Sequence, residues 1–287
     1  MSLLNAVVQG IALGGLYALF ATGLSLAFGV MRFVNLAHGD LAVLAAYLIL
    51  SVATALGASP WVALPIVLVV GGAVGYGAQT AVLNRTLGAD PMPSILVTFG
   101  LGVVIQNALL EKYSVSQQRL DIGGLVTDSV SVGSLAVGTL PLIILATAVV
   151  LLGVLELVLR HTRFGRAFRA TAEDSRTAQL MGIDDRAIYG AAMAISFGTV
   201  ALAGFFVGSR TSFSPLVGPA LLLFGFEAVV IGGIGSLWGT LLGGVVLGVS
   251  QTVANELAIG WDLLAGHAVF LAVLLLRPNG LLGKGAA

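Results

Sequence analysis

Four polar side chains stand in or beside long apolar runs and are the first candidates for chemistry: Asn35, His38, Asp40 and Glu227. Glu227 is the most telling, because it sits inside Leu216–Ile234 with no other charge in that stretch. A carboxylate at the centre of a membrane helix costs on the order of 3 kcal/mol, so it is expected to face a cavity or a partner and not lipid. Asp40 opens an apolar run. Asn35 is expected to cap that helix, and Arg32 or His38 to pair with Asp40. Two readings stand at this stage. Asn35, His38 and Glu227 line a substrate path, or they are hydrogen-bonded packing residues that hold broken helices together. Glu156, Glu256 and His267 fall near segment ends, where headgroups or water reach them. Gly232-Gly233-Ile234-Gly235-Ser236 breaks one helix before Trp238 starts another. Unwound backbone is tolerated where it lines a cavity, so Gly232 and Gly233 join the path candidates.

The second concentration of polar chemistry is Arg160–Arg186, which holds six of the thirteen Lys and Arg residues and four of the thirteen acids. Two short helices fit it. Phe164 and Phe168 share a face in the first, roughly 163–171, while Arg163, Arg166 and Arg169 step by three along one side. Asp174 can cap the second, Ser175–Met181, which stops at Gly182, with Ile183 packing back near Ala178. Asp184 or Asp185 can cap the apolar helix that follows. Ala167, Ala170, Ala172 and Ala178 are expected on the surface of this handle, where small residues allow a partner to approach closely. A plain topogenic loop needs no such paired, capped helices.

Other chemistries lack their motifs. No Gly-x-x-x-x-Gly-Lys-Ser/Thr loop is present, since Pro278 stands where Gly283-Lys284 would need its first glycine, and there is no His-Glu-x-x-His. Ser236 and His267 could be proposed as a protease pair, but no Gly-x-Ser-x-Gly frames the serine. Only Asp40 is remotely placed for an aspartyl site. No catalytic residue and no metal site is assigned. The chain has no cysteine, which excludes a disulfide or thiolate site, and a net charge of zero offers no case for nucleic acid.

The elements that position these groups follow from composition. Of 287 residues 58% are hydrophobic and 9% charged, with a mean hydropathy of +1.05, against roughly 25% charged in soluble domains. Residues 1–31, 41–84 and 228–255 carry no Asp, Glu, Lys or Arg, and each exceeds the roughly 20 residues of a spanning helix. The first run has no basic start and is too long for a cleaved signal, so it reads as the first membrane helix. Continuous rather than alternating runs indicate helices and not a barrel. The expected fold is all-α: a single polytopic transmembrane bundle over residues 1–287. Its segments fall near 5–31, 36–55, 60–83, 92–111, 141–160, 187–209, 216–234, 237–255 and 262–277. That gives eight or nine crossings, with 36–55 and 216–234 the best candidates for broken or re-entrant helices. Five Gly-xxx-Gly spacings, Gly10/Gly14, Gly71/Gly75, Gly204/Gly208, Gly239/Gly243 and Gly244/Gly248, suit close helix packing in lipid. With the handle in the cytoplasm, ten cationic residues including Arg32, Arg85, Arg277 and Lys284 share its side. Lys112, Arg119 and Arg210 take the other, as the positive-inside rule favours. Residues 112–140 are then an extracytoplasmic loop with a short hairpin.

The blocks GLSLAFGVMRFVNLAHGDLAVLAAYL (23–48), RATAEDSRTAQLMGID (169–184), FEAVVIGGIGSLWGTLLGGVVLG (226–248) and RPNGLLG (277–283) resemble the branched-chain amino acid permease family of ABC importers, in the shorter of its two permease types. The resemblance covers nearly the whole chain. It implies a second homologous permease or a second copy of the chain, two cytoplasmic ATPases, an extracytoplasmic solute-binding protein, and a location in the bacterial inner membrane. It implies no cofactor in this chain, with ATP and Mg held by the ATPases. It places the ATPase-coupling helix on the handle, with Arg169, Ala172, Glu173, Asp174 and Gly182 as coupling residues; Ala-Glu-Asp stands here where ABC importers often carry Glu-Ala-Ala. A permease for urea, short amides or other amino acids is the alternative within that class. An ion-coupled transporter or channel, with Glu227 as its titrating group, is the alternative outside it.

Overall fold

The computed structural model describes residues 3–88, 90–132 and 135–283; Lys284 and residues 133–134 of the expected loop lie outside it. In chain order the elements are α1 (Leu3–Met31), α2 (His38–Leu56), α3 (Pro60–Ala81), α4 (Met92–Tyr113), β1 (Ser129–Val132), β2 (Leu135–Gly138), α5 (Thr139–His161), α6 (Arg163–Glu173), α7 (Ser175–Leu180), α8 (Asp185–Arg210), α9 (Gly218–Gly232), α10 (Leu237–Leu257) and α11 (Asp262–Leu276). The protein is a polytopic helical bundle. Among the described residues its β-structure is the antiparallel pair β1 and β2, inside the expected 112–140 loop, and an isolated bridge from Gln118 to Phe213.

Among the described residues, seven helices are long and apolar enough to cross a membrane: α1, α2, α3, α4, α5, α8 and α10. The other two apolar helices, α9 and α11, have 15 residues each, so each is about 22 Å long. That is short of the about 30 Å hydrocarbon core. The shortness of α9 has a local cause. Gly233 and Gly235 take φ of 104° and 81°, values a side chain would strain, so the helix stops at Gly232 and α10 restarts behind the Ser236 cap. The nine apolar segments expected from the sequence are these seven helices plus the two short ones.

The chain divides into two compact units. One comprises Met1–Ser25, Ile122–Leu152 and Leu223–Ala287 as far as these are described, and the other Leu26–Asp121 and Gly153–Leu222. In the first, α1 and α10 meet through glycine. A Cβ on Gly248 would run into the backbone of Gly10 and Gly14, and one on Gly14 into Gly244 and Val245. The pairs Gly10/Gly14 and Gly244/Gly248 therefore face each other. Gly239 and Gly243 meet Gly232 and Ala228 of α9 in the same way. In the second unit α8 is the centre and packs on α2 and α3. Gly204 lies against the backbone of Ala42, and Gly75 against Phe197 and Met193. All five spacings noted in the sequence thus fall at close contacts.

Gly248→Val is expected to destabilise the protein by about 1–3 kcal/mol through overpacking, seen as a lower thermal midpoint or aggregation on size exclusion in detergent. Gly77→Ala is the control, because nothing lies within 4 Å of a Cβ there. It should be neutral or raise stability by about 0.5–1 kcal/mol. Equal behaviour of the two variants would count against glycine-set packing.

Candidate functional site

The handle forms as a capped unit. Thr162 caps α6 by accepting from Gly165 N–H at 3.0 Å, which lets α6 fold back tightly on the last turn of α5, where Gly165 abuts Leu159. Phe168 and Thr171 are buried beneath it, and Phe164 packs on Phe168 with ring centroids 6.0 Å apart. Asp174 caps α7, accepting from Arg176 N–H at 2.9 Å and from Thr177 Oγ1 at 2.6 Å. The corner at Gly182 (φ 81°) closes with Ile183 N–H donating to Ala178 O at 3.1 Å, as the spacing indicated. Asp184 caps α8, and Asp185 Oδ2 accepts from both Ser175 Oγ and Gln179 Nε2 at 2.7 Å, clamping α7 to the start of α8.

Three of the four handle acids are thus engaged in capping or clamping. The hydroxyl of Thr177, its backbone N–H and the neighbouring Arg176 hold the Asp174 carboxyl below the usual carboxylate range. Of the coupling residues the resemblance suggested, Glu173 and Asp174 are exposed, Ala172 is half-buried, and Arg169 donates through Nη1 to the carbonyl of Leu159. Ala178 differs from expectation. It is buried under α7, because the short helix has to seat one face. Beside its exposed polar side chains the handle presents two large apolar ones outward: Leu180 is 87% and Met181 79% exposed.

The polar groups at depth find partners that sequence distance hid. Asn35 is not the cap of α2. Ala37 is, and the Asn35 carboxamide instead accepts from Ala37 N–H at 3.0 Å and donates to Met193 Sδ at 3.9 Å. Asp40 accepts from Gln106 Nε2 of α4 at 2.9 Å. The guanidinium of Arg32 is directed instead to the handle carbonyls of Ala172 and Glu173. His38 is buried at the first turn of α2. In the other unit Glu227 is 1% exposed and shares a 2.5 Å hydrogen bond with His267 Nδ1 of α11. His267 is therefore the partner of Glu227, with its own side chain still 38% exposed. Glu227 Oε2 has no hydrogen-bond partner among the described residues. Gly232 and Gly233 are covered by the tail. Leu281 and Leu282 N–H donate to Ile231 and Gly232 carbonyls at 2.8 and 2.9 Å, so backbone donors of the tail satisfy the end of α9. The missed partners, Gln106, Met193 and His267, carry no local signal, being 66, 158 and 40 residues away.

Truncating Glu227 to Ala removes its hydrogen bond to His267, and the expected cost is about 1–3 kcal/mol. The double variant with His267→Ala should lose less than the sum of the singles, read from thermal midpoints in detergent. Additive losses would show that the pair contributes no coupling. For the handle, the folded carboxyl of Asp174 titrates below its unfolded value. Its contribution is present above the ordinary carboxylate range and is lost as pH falls through the depressed value. Hydrogen-exchange protection over 175–180, taken relative to the intrinsic rate at each pH, should fall on acidification and, at neutral pH, in Asp174→Ala; unchanged protection in that variant would remove the cap.

Comparison with known proteins agrees with this architecture. The family described as "Branched-chain amino acid transport system / permease component" matches residues 6–277. The high-affinity branched-chain amino acid transport system permease protein BraD of Pseudomonas aeruginosa is 26% identical over 294 residues, covering 98% of this chain and 96% of BraD. The permease protein LivH of Escherichia coli, from a system of the same description, shows the same identity and coverage. LivM of Escherichia coli, a second permease protein so described, is 27% identical over 93% of this chain and 68% of its own length. With its apolar helices and a match that spans nearly its whole length, this multi-pass membrane protein belongs to the permease component family of branched-chain amino acid transport systems.

Proposed function

We propose that this chain is the membrane subunit of an ATP-driven importer of branched-chain, hydrophobic amino acids, gripped through its handle by separate ATPases. Family membership supports the transport class, and relatives named for branched-chain amino acid transport support the substrate. The observation that carries the coupling role is the handle itself: two capped helices clamped to α8, with Leu180 and Met181 exposed at an otherwise polar corner. An exposed apolar pair on a rigid, water-soluble projection suits a protein groove.

On this reading the handle faces the cytoplasm from the bacterial inner membrane, and ATP and Mg belong to the ATPases. A second permease, of the kind LivM exemplifies, or a second copy completes the pore, and a solute-binding protein delivers ligand from outside. Arg169, Ala172, Glu173, Asp174 and Gly182 shape the docking face. Asn35, His38, Glu227, Gly232 and Gly233 support the moving path by holding its broken helices. ATP-driven closure of the ATPases displaces the handle. The helices α5 and α8, to which it is fixed, tilt as rigid bodies. On this reading the binding protein selects the solute.

Leu180→Ser with Met181→Ser should reduce co-purification of the ATPases about tenfold or more, since losing two buried anchors removes more than about 1.4 kcal/mol. Stoichiometric retention would count against docking there. Calorimetry of the cognate binding protein across an amino-acid panel should show leucine, isoleucine and valine as the tight ligands; tight binding of urea or amides alone would replace the substrate assignment.

A further inference from the structure

The non-helical stretch between α1 and α2, residues 32–37, is a junction. Arg32 stands at φ 55°, in the left-handed region that residues with a Cβ rarely adopt. Such a conformation persists only where its surroundings hold it. Its N–H donates to Phe28 O at 2.8 Å and closes α1. Its guanidinium Nη2 donates to the carbonyls of Ala172 at 3.2 Å and Glu173 at 3.5 Å. Those oxygens belong to the last turn of α6. The terminal carbonyls of a helix lack their usual intrahelical donors and form the negative end of its dipole, where a cation is favoured.

The same stretch is fixed at two further points. Leu36 N–H donates to Thr98 Oγ1 of α4 at 3.2 Å, and Asn35 Nδ2 reaches Met193 Sδ of α8. Phe33, Asn35 and Ala37 are buried. Six residues therefore join the end of α1, the start of α2, α4, α8 and the handle. The handle is covalently continuous with α5 and α8 alone; Arg32 reaches it from 140 residues away.

We propose that Arg32 is a positioning residue that transmits movement of the handle to the α1–α2 junction, and so to α2. This rests on the handle being the part that the ATPases move. A displaced α6 end either drags the guanidinium with it or breaks its contacts. In both cases the junction feels the state of the motor through a contact that differs between states, which is the only way one element biases another. Without Arg32, the handle still docks and moves α5 and α8, but α2 no longer follows in register. ATP is then hydrolysed with less transport.

The test uses the full complex of both permeases, ATPases and binding protein in proteoliposomes, with radiolabelled leucine as the probe. Arg32→Gln shortens the side chain. Arg32→Gly removes it while suiting the positive φ, which separates loss of the contact from backbone strain. Arg32→Lys keeps the charge but not the forked donor. Expected are ATPase stoichiometry and hydrolysis close to wild type in all three. Leucine moved per ATP should fall about fivefold or more in Gln and Gly, the low end of the usual coupling between sites, with Lys intermediate. Unchanged leucine per ATP in Gln and Gly overturns the proposal. So does loss of ATPase from these variants, which would make Arg32 part of the docking surface. A wild-type complex that holds no ATPase defeats the handle reading and this one together, and is told apart because it precedes any substitution.

Discussion

Helices in a bilayer gain little by hiding apolar side chains from one another, because the surrounding lipid tails are equally apolar. Association has to come from close packing and from polar contacts. In this protein glycine supplies the first. Gly10, Gly14, Gly244 and Gly248 bring the α1 and α10 backbones together, and Gly232, Gly239 and Gly243 do the same for α9 and α10. Around Gly39 and Gly218 the backbone of α2 meets the start of α9 with Asp40 at the contact. Where two backbones touch, neither helix can shift without the other, so glycine contacts define which helices move as one piece.

Polar contacts are placed where helices break. The interruptions at 32–37 and 233–236 would leave backbone groups unpaired, which is costly wherever water cannot reach them. Each break is therefore occupied. Thr98, Asn35 and Arg32 bond around the first, and the tail residues Leu281 and Leu282 cover the end of α9 at the second. Asp40 with Gln106 and Glu227 with His267 follow the same rule for side chains: a carboxyl that cannot reach water meets a donor from another helix.

The handle is organised differently, by local contacts. Its stability comes from caps and from a clamp between α7 and α8, all from residues near in sequence. The Leu180–Met181 corner stays exposed on it, which is why the proposed docking is placed there. Local capping within the handle and the long-range contact from Arg32 are the features on which the proposed transmission rests.

Much of this was legible in the residues themselves. Uncharged runs longer than a membrane marked the helices, and caps at Asp174 and Asp184 with the turn at Gly182 marked the handle, because capping and helix length depend on neighbours within a few positions. Glycine spacing announced close contacts but not which helix each would meet. The partners of Asp40, Glu227 and Arg32, and the correction that Asn35 braces a turn and does not cap α2, came only with the tertiary structure. A buried polar group needs a donor or acceptor in space. In a bundle whose helices are all similarly apolar, sequence alone does not encode which distant helix supplies it.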